Sequence, residues 1–99
     1  MPKFNVSRSA QSDMRTIARY TLEIWGVDQA IRYARSLRDT FQILAENPRM
    51  GRPCAAISPG LRRHEQGKHV VFYRVTPGGV RIVRVLHQQM IPAKSRFEP

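Results

Sequence analysis

Apolar residues recur at steps of three and four through the first half of the chain and at steps of one and two through the last third. Ala10, Met14, Ile17, Thr21, Ile24 and Trp25 form one stripe, and Ala30, Ala34, Leu37, Phe41 and Leu44 form another. Such spacing places each set on one face of a helix. Ser7 or Ser9 can cap the first helix, because a Ser hydroxyl accepts a free first-turn N–H. Gly26 suits the left-handed position that ends it. Asp28 reads as the cap of the second helix, and Asn47-Pro48 closes that helix, since Pro disfavours helical geometry in the residue before it. A helical hairpin is therefore predicted.

The remaining elements read as strands. Lys3 to Val6 alternates weakly and predicts a short first strand. Later come Leu61–Glu65, Lys68–Val75 and Val80–His87, separated only by Gln66-Gly67 and Thr76-Pro77-Gly78-Gly79. Gly-containing connections this short join adjacent antiparallel strands. The segment from Pro48 to Pro59 reads as a loop anchored by Met50 and Ile57. Residues 88–99 read as a flexible tail. The first strand has to join the others non-locally, because an isolated strand of that length does not persist. The expected fold is α+β, a two-layer sandwich in one domain spanning residues 1–99. Two helices cover one face of an antiparallel sheet, and a charged, aromatic-spotted face stays open.

Composition narrows the chemistry. A chain of 99 residues supports one core. No apolar run approaches the length needed to span a membrane, and the N-terminus carries no signal-peptide apolar stretch. Cys54 is the only cysteine, which excludes an internal disulfide. The expectation is a cytoplasmic protein without a membrane partner. The formal charge of +10 is the outlier. Arg15, Arg19, Arg32, Arg35 and Arg38 lie on the predicted helices with too few acids to pair them. Arginine favours forked hydrogen bonds to carboxylate or phosphate. The charge admits nucleic acid, an anionic membrane or an acidic protein as partner.

Taken in order, several segments resemble the ParE branch of the RelE/ParE superfamily of bacterial type II toxins. They are Val6-Ser7-Arg8-Ser9-Ala10 through Asp13 and Ile17 to Trp25-Gly26, then Ala45-Glu46-Asn47-Pro48-Arg49-Met50-Gly51-Arg52-Pro53. Pro59-Gly60-Leu61-Arg62-Arg63, His69-Val70-Val71-Phe72-Tyr73-Arg74-Val75 and Ile82-Val83-Arg84-Val85-Leu86-His87 complete the set. The resemblance implies a toxin neutralised by a ParD-type antitoxin and acting on DNA gyrase, through its A subunit, without a catalytic residue. It implies no cofactor and no sequence-specific DNA binding by the toxin alone. The RelE branch of the same superfamily instead cleaves mRNA on the ribosome.

The residues bear on both readings. RNA cleavage needs a base, an acid and cations around a phosphate. His87, Arg84, Arg63 and Glu65 are the candidates, with His64, Arg62 and Tyr73 beside them. The lysine-rich cluster and C-terminal tyrosine of the ribonuclease relatives are missing: Lys3, Lys68 and Lys94 are scattered, and no tyrosine follows Tyr73. His64, His69 and Cys54 match no common zinc spacing, so no metal is expected. A basic nucleic-acid-binding module is a third reading.

For partner binding, the helical arginines are joined by Trp25, Arg62, Arg63, Tyr73, Arg84 and His87. Met90, Arg96 and Phe97 add a mobile contact segment. Trp25 reads first as core at the hairpin tip and second as a binding hot spot. The resemblance and the alternation with Arg84 place Tyr73 on the exposed sheet face.

Overall fold

The computed structural model describes residues 1–90, so the expected roles of Arg96 and Phe97 lie outside the described residues. Strand β1 (Lys3–Val6) leads into helices α1 (Arg8–Trp25) and α2 (Val27–Glu46). Strands β2 (Arg52–Pro53), β3 (Leu61–Gln66), β4 (His69–Thr76) and β5 (Gly79–His87) follow, and a 3-10 turn covers Gln88–Met90. The sheet order is β1-β5-β4-β3-β2.

Local chemistry sets the helix ends. The Ser7 Oγ accepts from the Ala10 N–H at 3.0 Å and donates to the Val83 carbonyl at 2.8 Å. One side chain thus caps α1 and ties it to β5. Gly26, at φ 92°, is the whole junction between the helices. A residue with a Cβ is strained there, which is why the hairpin turns on glycine. Asp28 lies in the first turn of α2 rather than at its cap, a correction to the sequence reading.

The sheet is mixed rather than wholly antiparallel. β3, β4 and β5 form the expected antiparallel meander, but β1 runs parallel to β5, with Lys3 opposite Gly79 and Val6 opposite Ile82. The helical hairpin provides the long connection that lets β1 reach β5 in that sense. The 48–59 loop also contains a strand. Arg52 and Pro53 pair with Arg63 and Arg62 at the sheet margin, and a proline with no N–H to give is tolerated at such an edge.

Two cores sandwich the sheet. Leu37, Phe41, Leu44, Val71, Tyr73, Val80, Ile82 and Val85 pack under the helices. On the other face Leu61, Val70, Phe72 and Val83 are covered by Cys54, Ile57 and Leu86. Val70, Val71, Phe72 and Tyr73 are consequently all fully buried. The expected open sheet face is therefore roofed at its centre by the 54–60 segment. Tyr73 is not exposed as expected: its hydroxyl donates to the Pro48 carbonyl at 2.7 Å and accepts the Gly51 N–H at 2.8 Å. An apolar ring with two main-chain partners for its one polar group is stable inside.

Candidate partner-binding surface

Along α1, residues Gln11, Met14, Arg15 and Ala18 face Ala34, Arg38 and Phe41 of α2, with Val6 at the end, across an open trough of about 510 Å³. Its width comes from two small side chains, Ala18 and Ala34, that keep the space between the helices unfilled. Met14 and Phe41 supply an apolar floor, while Arg15 and Arg38 stand exposed at its rim. Continuing the same steps of three and four residues, Leu22 and Trp25 extend the line on α1, and Val27 and Ile31 extend it on α2.

These four continuation residues are uncovered: Trp25 is 69% exposed, Val27 59%, Ile31 50% and Leu22 46%. Trp25 is thus not core, which corrects its first reading. Its position beside Gly26 carries it past the last turn that rests on the sheet. Ile24, placed on the same predicted stripe, is also exposed. From Met14 to Trp25 the apolar line runs about 17 Å at 1.5 Å per residue. Arg19, Arg32 and Arg35 are exposed on the same hairpin.

On the sheet the predicted residues are dispersed. Arg84 forms a forked pair with Asp13 of α1, Nε to Oδ2 at 2.8 Å and Nη2 to Oδ1 at 2.9 Å. The same carboxylate accepts the Val85 N–H at 3.0 Å. Asp13 therefore satisfies a strand edge that β1 leaves open after Val6. Glu65 takes Arg52 at 2.8 Å and Arg63 at 3.4 Å on one oxygen. Arg62 donates to the Gly51 and Arg49 carbonyls, and His64 is half-buried on β3.

His87 lies opposite His69 at the end of β5, with ring centroids 5.6 Å apart in an edge-to-face arrangement. The His69 Nδ1 is 2.6 Å from the Tyr33 hydroxyl, which also donates to the Gln66 carbonyl at 3.1 Å. Gln66 in turn bonds Ser36 and Thr40, which fastens this end of β3 to α2. Burial, then the neighbouring His87, hold the His69 imidazole below its ordinary value, and burial pushes the Tyr33 phenol up. His87 thus joins Tyr33 and His69 on the helix side of the sheet, while Glu65 and Arg63 sit with each other at the other margin.

Asp13, Tyr33, Ala18 and Ala34 were not singled out for a role by sequence reasoning. Ala18 and Ala34 had a weak signal, as small residues, one beside the first apolar stripe and one within the second. Asp13 stands in a family-like segment, but its pairing and that of Tyr33 had no signal, because their partners lie 71 and 36 residues away. Met90 ends the 3-10 turn.

Residues 4–92 match the family described as the ParE toxin of the type II toxin–antitoxin system parDE. The chain belongs to the ParE toxin family. It is 48% identical over 92 residues to Toxin ParE1 of Caulobacter vibrioides, covering 91% of this chain and 93% of that one. Toxin ParE1 of Mycobacterium tuberculosis is 45% identical over 89 residues, covering 89% and 91%. Toxin ParE of Escherichia coli is 30% identical over 91 residues, covering 91% and 88%. The fold is also that of a chain in the chromosomal ParDE system of P. aeruginosa, with a TM-score of 0.74 at 22% identity, covering 88% of this chain and 96% of that chain. The protein is a type II toxin, and its expected α+β architecture stands. Among the described residues no helix is long and apolar enough to cross a membrane, and no group of three or more His, Cys, Asp or Glu side chains gathers to hold a metal.

Proposed function

We propose that this toxin acts by binding DNA gyrase, at its A subunit, and that a ParD-type antitoxin restrains it by laying an acidic amphipathic helix into the α1–α2 trough. The observation that carries the antitoxin part is the trough itself: an apolar floor between the helices, an exposed Trp25 and an exposed arginine rim. A helix laid there buries its apolar face on Met14, Ala18 and Phe41 and sets acids against Arg15 and Arg38. Trp25 is the natural anchor, as tryptophan dominates interface energetics. The antitoxin segment folds as it docks, and the surrounding positive field speeds its arrival.

Gyrase as target rests on membership of the ParE family. A gyrase poison has only to bind one state of the enzyme better than another to shift its population. The polar groups of β3 and β5 are consistent with this, because Arg84 and Glu65 are engaged in ion pairs within the fold rather than gathered around a common point. Purified toxin added to gyrase is expected to suppress supercoiling or accumulate cleaved DNA, and to leave ribosome-bound mRNA intact. Unaffected gyrase with cut mRNA would overturn the proposal in favour of ribonuclease action.

A further inference from the structure

Between residues 49 and 74 the chain carries five arginines and a lysine against a single acid, Glu65. The fold concentrates the arginines at the margin formed by β2, β3 and the 54–60 segment. Arg52 and Arg63 are register partners, directly opposite one another. Like charges so placed repel, and they share one oxygen of one carboxylate. Arg62 donates to main-chain carbonyls, which fix its guanidinium without neutralising it. Arg63 lies over the buried Phe72 ring at 5.6 Å, and its Nε is buried with no hydrogen-bond partner. Burial pushes the Cys54 thiol up, and the charges of Arg63, Arg74, Arg52 and Arg62 oppose that shift. Arg49 adds an exposed charge beside them.

We infer that this margin is a sequence-independent binding face for the phosphodiester backbone of duplex DNA. The Arg62 and Arg63 guanidiniums are held in place by carbonyls and by an aromatic ring, and their remaining N–H groups can donate to phosphate oxygens. Protein-binding hot spots combine arginine with aromatic anchors. Among the described residues this margin exposes none: Phe72 is fully buried, and Tyr20 and Trp25 project from the helical hairpin. The same lack of a stacking platform favours a duplex over a single strand. Arginines on β-strands reach phosphates but read no base edge, so the binding carries no sequence preference. The inference concerns DNA directly and stands apart from the gyrase reading.

The test is fluorescence anisotropy of the full-length toxin with a labelled duplex of about 20 base pairs, titrated from 50 to 200 mM salt. Neutralising three to four phosphates predicts a log–log salt slope of about −3. Arg62→Gln with Arg63→Gln is expected to weaken binding at least tenfold and to flatten the slope by about 2. Arg49→Gln with Arg52→Gln removes only exposed heads and should weaken binding without disturbing the fold. Arg32→Gln with Arg35→Gln removes the same charge from the helices and should leave binding within about twofold, since phosphate contacts are local. Equal losses from the helical pair would show a diffuse charge effect and overturn the inference. So would tighter binding of a single strand, or no binding at 50 mM salt.

Discussion

At the residue scale, the exposed Trp25 and the half-buried His69 make different predictions. Trp25 contributes little to the fold, because 69% of it stays in water. Trp25→Ser should therefore move the melting temperature by less than about 4 °C, as surface substitutions usually cost under about 0.5 kcal/mol. It should weaken antitoxin binding by about 2 kcal/mol or more, the scale of a hot-spot loss. Calorimetric titration with the antitoxin measures the second quantity and thermal unfolding the first. Unchanged affinity would remove Trp25 from the interface.

His69 makes a pH prediction. Its imidazole is held below the ordinary value of 6.5, by burial first and by His87 second. The unfolded chain then takes up the proton before the folded one does. Stability is fully present above about pH 6.5 and falls as the pH drops through the unfolded value towards the lower folded one. Urea unfolding between pH 5 and 8 should show this decline, and His69→Gln should flatten it. An unaltered pH profile in the variant would place the titration elsewhere.

At the scale of elements, the structure depends on β1 finding β5. The approach is close: a Cβ added at Gly79 would collide with the Lys3 carbonyl. Gly79→Ala should force the strands apart and lower stability by about 2–3 kcal/mol, as overpacking does. The affected hydrogen bonds include Lys3 N–H to the Gly78 carbonyl at 2.9 Å, and hydrogen exchange at β1 amides should report their loss directly. Gly78→Ala is the comparison. It tests backbone strain alone, because its Cβ meets nothing within 4 Å at φ 82°. An equal effect from both would mean that strain, rather than strand contact, sets the requirement.

At the scale of the whole molecule, the charge of +10 is borne by a folded surface and governs encounters. Arg15 and Arg38 flank the trough, and Arg52, Arg62 and Arg63 crowd the β2–β3 margin. Antitoxin association should slow by about tenfold or more between 50 and 500 mM salt, while dissociation changes little, because rim charges act mainly on arrival. Stopped-flow mixing separates the two rates. An association rate indifferent to salt would mean that apolar contact alone selects the partner.

Much of this protein was legible from the order of its residues. Periods of about 3.6 and 2 mark which segments are helix and strand, and short glycine turns fix the meander, because both effects act between near neighbours. Family resemblance rested on the same contiguous segments. Tertiary structure alone decided which apolar residues are covered. Trp25 and Ile24 continue the α1 stripe yet stand in water, since the hairpin overruns the sheet. The resemblance and the alternation with Arg84 place Tyr73 on the open face, yet it is buried, since the 48–51 turn supplies its hydroxyl with partners. The trough depends on Ala18 and Ala34 meeting across the hairpin, and Arg84 depends on an acid 71 residues earlier. Burial and pairing at such separations are properties of the assembled layers, and local periodicity carries no information about them.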